Sequence, residues 1–250
     1  MPLNTLSLML QKTRGIVFHK IKYSESSFII KVYTEQFGLQ TLMVRGTSSR
    51  KSKFKAALFQ HLSLLDLVIY RNEKKEIHHL KEVKTAYPFA SIPFNIKKSS
   101  IAIFINEVLY KSIKEEEKND VLFQFLYNSI QILDMKEEGL AEFHILFLVQ
   151  LSKYLGFFPK GNFSDKKQTF DLLEGKFIKG SEISDSLMNK PYSEYLYQLL
   201  SLNYDSLKRF KLPGNIKNEF LEYLLKYFRM HIPGFGELNS HLILREVLSD

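Results

Sequence analysis

Between two stretches rich in β-branched and aromatic residues lies the run Arg45-Gly46-Thr47-Ser48-Ser49-Arg50-Lys51-Ser52-Lys53-Phe54-Lys55. Arg45, Arg50, Lys51, Lys53 and Lys55 supply cations with no acid among them, interleaved with hydroxyls and a glycine. Such cations neutralise phosphates, hydroxyls donate to phosphate oxygens, and glycine lets backbone amides approach closely. Arg14, Lys20, Lys22 and Lys31 fall on the strand-like stretches just before the run and extend the candidate patch. Tyr33, Phe37 and Phe54 are candidates to stack on bases, since unspecific single-strand grooves combine charge with aromatic faces. Plainer readings stand beside these. The run also reads as a solvated connection or a nuclear-localisation stretch, and the aromatics as core or turn packing.

The distribution of charge supports the first reading. The 250-residue chain carries a formal charge of +8. From Met1 to Leu80, 13 Lys and Arg stand against 5 Asp and Glu, whereas the remaining 170 residues hold 22 of each. A surplus confined to one third of the chain is the footprint of a polyanion-binding surface. Other chemistries find little support. There is no cysteine, so disulfides, thiol catalysis and thiolate metal sites are excluded. Ser48-x-x-Lys51 lacks companion motifs, and no phosphate-binding glycine loop or His-Glu-x-x-His occurs. His78 and His79 are adjacent on a predicted strand and face opposite sides, so they do not easily share a metal. The reading is a non-catalytic protein without metal or cofactor. No apolar run reaches the length of a membrane span and the N-terminus lacks export features, so a cytoplasmic location is expected.

The elements that must position these cations are strands. Gly15–Tyr23, Ser27–Thr34, Leu39–Arg45, Leu62–Tyr70 and Glu76–Ala86 are short β-branched and aromatic runs. In the second, Phe28, Ile30 and Val32 share one face while Ile29, Lys31 and Tyr33 share the other. Five such strands predict a small barrel of the oligonucleotide-binding (OB) type over residues 1–86, with a β-sandwich fragment as the alternative. Pro88 and Pro93 mark a boundary. Beyond it, 87–156 and 185–250 show helical spacing, giving an α+β chain with an all-α second domain. Helices are expected at Ser100–Ile113, Asn119–Met135, Leu140–Leu155, Tyr192–Asn203, Ile216–Met230 (capped by Asn215) and Ser240–Leu248. The charge run Lys114–Lys118 reads as a solvated turn. Residues 157–184 break the pattern as an irregular, cysteine-free loop with a hairpin at Thr169–Leu173 and Lys176–Lys179.

The order of several short motifs resembles the bacterial recombination mediator RecO family. Arg14-Gly15-Ile16-Val17 with Tyr23-Ser24-Glu25-Ser26-Ser27 is similar to its first strand and turn. Thr34-Glu35-Gln36-Phe37-Gly38 and Val44-Arg45-Gly46 resemble the next two strands and the basic loop. Leu155-Gly156-Phe157-Phe158-Pro159, then Phe170-Asp171-Leu172-Leu173-Glu174-Gly175-Lys176-Phe177, resemble the entry to its loop subdomain. Tyr227-Phe228-Arg229-Met230-His231 and Leu244-Arg245-Glu246-Val247-Leu248 fit its last helices. The resemblance implies binding of single- and double-stranded DNA, strand annealing, and loading of the RecA recombinase together with RecR and the single-strand-binding protein. It also implies a groove on the helical domain for that protein's acidic C-terminal tail. Many members carry four zinc-binding cysteines in the loop; none is present here, so Phe158, Phe163, Phe170 and Phe177 are expected to hold it by packing. An RNA-binding accessory protein using the same barrel, and a helical interaction scaffold without a nucleic-acid role, remain as alternatives.

Overall fold

Period-two alternation closes the first third of the chain into a barrel. The structure is a computed structural model describing residues 9–45, 54–72, 74–180 and 184–248, so Arg50, Lys51 and Lys53 lie outside the described residues. In β2 (Ser27–Thr34) Phe28, Ile30 and Val32 turn inward and bury against Val17, Leu42, Val44, Leu65, Leu67, Ile69 and Leu80. β1 (Met9–Ser24) serves two neighbours: its first half pairs with β4 (Leu64–Arg71), its second with β2. With β3 (Gly38–Arg45) and β5 (Ile77–Tyr87) this gives the closed order β1-β2-β3-β5-β4, the OB-type barrel expected. Gly15 sits where β1 changes partners, opposite both Thr34 and Leu65. A Cβ there would lie 2.5 Å from a methyl of Val32, so the crossing requires glycine.

The chain divides into two compact units, Met1–Ala90 with Asn106–Gln131, and Ser91–Ile105 with Ile132–Asp250. This division does not follow the change from strand to helix near residue 87. Two helices contribute to both units: α1 (Ile96–Ser112), whose backbone starts under an Asn95 cap, and α2 (Asp120–Met135), capped by Asn119. In the first unit the segment 106–131 covers the outer wall of β1 and β2. Tyr33 is buried there, stacked on Phe18 and beside Phe123, and Asn106 donates a 2.9 Å hydrogen bond to the Phe18 carbonyl. The turn Lys114–Lys118 corrects its reading as merely solvated. Its side chains are exposed, yet the Glu115 carbonyl accepts from the Leu39 amide at 2.9 Å. Gly38, at φ +63°, leaves room for that backbone; a Cβ would come within 2.4 Å of the Glu117 carbonyl oxygen.

The second unit is helical, with α3 (Phe143–Tyr154) buried around nearly its whole circumference. α4 (Tyr192–Leu200), α5 (Gly214–His231) and α6 (Ser240–Val247) complete it. Asn215 is not the cap of α5: Pro213 occupies that position with extended backbone, and the helix begins at Gly214. The loop region forms a three-stranded sheet, β6 (Thr169–Asp171), β7 (Lys176–Ile178) and β8 (Leu187–Met188), in the order β7-β6-β8. Phe170 and Phe177 pack together as expected, with Phe163 against Phe177. The deeper anchor is Phe157 rather than Phe158, set between Tyr227, Phe228 and His231.

One buried group in α3 makes this unit sensitive to acid. His144 is 2% exposed, and its Nδ1 has no hydrogen-bond partner. Burial, with Lys217 nearby, pushes its pKa down to about 3. The charges around it are Lys217, which pairs with Glu142 at 3.4 Å, and Arg245, which lines the same small cavity. Between about pH 6.5 and 3 the unfolded chain binds a proton there that the folded chain refuses. The stability is therefore intact above pH 6.5 and falls as pH drops, by ~2 kcal/mol at pH 5. Urea unfolding at pH 7.5 and 5.0 measures it, and His144→Phe is expected to remove most of the difference.

Candidate nucleic-acid interface

Strand register brings four of the predicted cations to one rim of the barrel. Lys22 lies opposite Phe28 on β2, Phe28 opposite Val44 on β3, and Arg45 opposite Ser27. Lys20, opposite Ile30, reaches over the mouth: its Nζ donates to the Ala56 carbonyl at 3.3 Å and sits 5.9 Å from the Phe28 ring centre. Lys55 precedes that alanine at the start of the 3₁₀ turn Ala56–Phe59, so Lys20 and Lys55 are neighbours. All four side chains are exposed. Arg50, Lys51 and Lys53 belong to the connection that leaves this rim at Arg45 and rejoins the described chain at Phe54.

Two titrating groups register the positive potential. The His61 imidazolium is disfavoured first by burial, then by His19 and Lys20. His79, opposite Met43 on β3, is likewise held down by burial and then by Arg45 and Lys75. Lys75 lies on the far side of His79 from Arg45: Ile77 pairs with Thr41 and Arg71 with Met9, so the β4–β5 turn that carries it is at the barrel's other end and does not extend the rim.

The remaining two candidates are elsewhere. Arg14 lies by the β2–β3 turn, where its guanidinium forks onto Glu35 with Nε–Oε2 at 2.9 Å and Nη2–Oε1 at 2.6 Å. Its other face covers Tyr127 and Phe123, 4.7 and 5.5 Å from the ring centres. The Arg14 hydrogen bonds hold the Glu35 carboxyl below its ordinary range. Arg14 is a brace within its unit, and its positive charge is matched by a carboxylate. Lys31 is on the outer wall, opposite His19 and Thr41, near Lys111 and Lys114; burial first, then Lys31 and Lys111, depresses the Lys114 ammonium.

The proposed stacking residues are not available. Tyr33 is 1% and Phe54 6% exposed, the latter inside the barrel core. Phe37 is half-buried with Arg71 4.8 Å above its ring. A groove of about 460 Å³ on the barrel is lined by Lys12, Arg14 and Lys84 but equally by Glu35, Asp66 and Glu82, so its charge is balanced. Among the described residues no group of three or more side chains is placed to hold a metal ion, and no helix is long and apolar enough to cross a membrane.

Comparison with known proteins matches both halves of this arrangement. Residues 9–89 match the family model "Recombination protein O N terminal" and residues 93–240 match "Recombination protein O C terminal". Among similar proteins is one from Phocaeicola vulgatus named DNA repair protein RecO, 33% identical over 96% of this chain and 100% of its own length. Proteins of the same name from Bacteroides fragilis and Flavobacterium johnsoniae are 35% and 36% identical, covering 96% and 95% of this chain and 99% of their own. The matched segments meet near residue 90, barrel on one side and helices on the other, and the similarity runs almost end to end: the chain belongs to the recombination protein O (RecO) family.

Proposed function

We propose that this chain is a non-catalytic DNA-binding mediator of recombination and repair. It binds single- and double-stranded DNA through the phosphate backbone, promotes annealing of complementary strands, and acts with RecR and the single-strand-binding protein to load the RecA recombinase in the cytoplasm. The observation that carries this reading is the rim: Lys20, Lys22, Arg45 and Lys55 gather at the mouth that anchors the run containing Arg50, Lys51 and Lys53. The family membership and the name of the relatives point the same way.

The mechanism requires no bond chemistry. Each phosphate that meets a cation releases condensed counterions, and two strands held on one positive surface repel each other less. Backbone contacts of this kind position a strand without reading its sequence. Oligonucleotide affinity is therefore expected to fall steeply with salt, with a log–log slope of about −3 or steeper for single strands if the rim cations engage. Annealing of complementary strands should accelerate at low salt and lose that acceleration at high salt. Affinity independent of salt would exclude this reading, and no oligonucleotide binding at all would favour the helical scaffold. A strong preference for RNA over DNA of the same sequence would favour the RNA-binding alternative. Capture of the single-strand-binding protein with its C-terminal tail, but not without it, tests the partner assignment, as does co-elution with RecR.

A further inference from the structure

Resting on the backbone-binding reading above, we propose that Tyr23 is the base-stacking platform of this rim and makes it a site for unpaired nucleic acid. The register of β1 and β2 steps from Lys22↔Phe28 to Ser24↔Ser27, so two residues of β1 oppose one of β2, and Tyr23 is the extra residue. Such a bulge interrupts the ladder and re-aims a side chain, which places it at functional positions more often than in regular sheet. Tyr23 is 65% exposed, against a buried Tyr33 and Phe54. A tyrosine is a large apolar surface, and leaving most of it in water forgoes the burial that its ring would otherwise contribute.

Its surroundings supply the rest of a single-strand site. Lys22 precedes it, and Ser24 pairs with Ser27, which lies opposite Arg45. Two strand spacings thus separate the Tyr23 position from Arg45, about 10 Å. That span suits a base on the Tyr23 ring with one phosphate on the adjoining Lys22 and a neighbouring one on Arg45, the combination of charged track and aromatic face that holds single strands without sequence preference. Ile21, also exposed and on the same strand, adds apolar surface beside it, while Glu25 in the following turn is the nearby acid. A duplex keeps its bases stacked on one another and offers only phosphates to this rim, so the ring should discriminate between the two forms.

The chain has no tryptophan, so Tyr23→Trp gives a single reporter. Its emission is expected to be quenched by an oligothymidylate and far less by a duplex bound to saturation. Tyr23→Ala is expected to weaken single-strand binding about tenfold or more, at an unchanged salt slope, with duplex affinity and thermal midpoint unaltered. Tyr23→Phe should retain wild-type affinity. Equal quenching by both forms, or single-strand affinity of Tyr23→Ala equal to wild type, overturns the stacking role and leaves the phosphate reading standing. Failure of the unaltered protein to bind either form overturns both.

Discussion

Replacing Lys20, Lys22, Arg45 and Lys55 together by glutamine is expected to cut single-strand affinity about 200-fold at 0.15 M salt and flatten the salt slope by about 3. The size follows from counterion release. Each single-strand phosphate contact contributes about 0.7 to the slope, so four contribute about 2.8, and extrapolated from 1 M salt that is about 2.3 decades of affinity. All four side chains are exposed, and among the described residues the side-chain hydrogen bond lost is that from Lys20 to the Ala56 carbonyl, so the fold should survive. Arg14→Gln provides the contrast. Its charge is spent on Glu35 and on the faces of Tyr127 and Phe123, so its loss should lower the thermal midpoint and leave the slope alone. Titration by fluorescence anisotropy at four salt concentrations separates the two variants. A quadruple variant with wild-type slope would remove the rim from the account, and an altered slope for Arg14→Gln would return Arg14 to it.

The contrast between those residues also marks what a sequence can convey. Alternation of Phe28, Ile30 and Val32 was enough to place β2 from Ser27 to Thr34, because inward positions in a small barrel must be apolar. The same rule hid the first half of β1. There the inward positions paired with Ile69 and Leu67 are Gln11 and Thr13, at the barrel's other end, so no apolar alternation announces them. A cation on a strand could be read, but not its partner. Glu35 is 21 residues from Arg14 and meets it only through the β1–β2 register. Aromatics were harder still, since one residue type serves both core and stacking. Tyr33 is covered by residues 106–131, some 90 positions away, while Tyr23 is exposed by a one-residue bulge that no local pattern encodes. The strand β8 shows the same limit: two residues form no period, and Leu187–Met188 joins the sheet only because β6 is already there.

Asp134→Ala is expected to destabilise the second unit by about 3–5 kcal/mol, read as a shift of its urea midpoint. Asp134 is buried at the end of α2, and its Oδ1 accepts from the amides of Ser91 and Ile92 at 2.9 and 2.8 Å. Its backbone carbonyl accepts from the Lys98 Nζ at 2.7 Å, and that ammonium, itself buried, also donates to the Ser91 hydroxyl at 2.7 Å. Truncation leaves the buried Ile92 amide and the half-buried Ser91 amide without their acceptor and takes the negative charge away from a buried ammonium, a penalty larger than the net contribution of the bonds themselves. Asp134→Asn keeps an acceptor and removes the charge, so it should lose less. If the ammonium is the costly orphan, adding Lys98→Met to Asp134→Ala should recover part of the loss, whereas independent sites would simply add. None of these residues is near the rim cations in sequence or belongs to their unit, so the folded fraction of every variant should keep the wild-type salt slope. A slope that changed with Asp134 would mean that the barrel does not bind nucleic acid on its own.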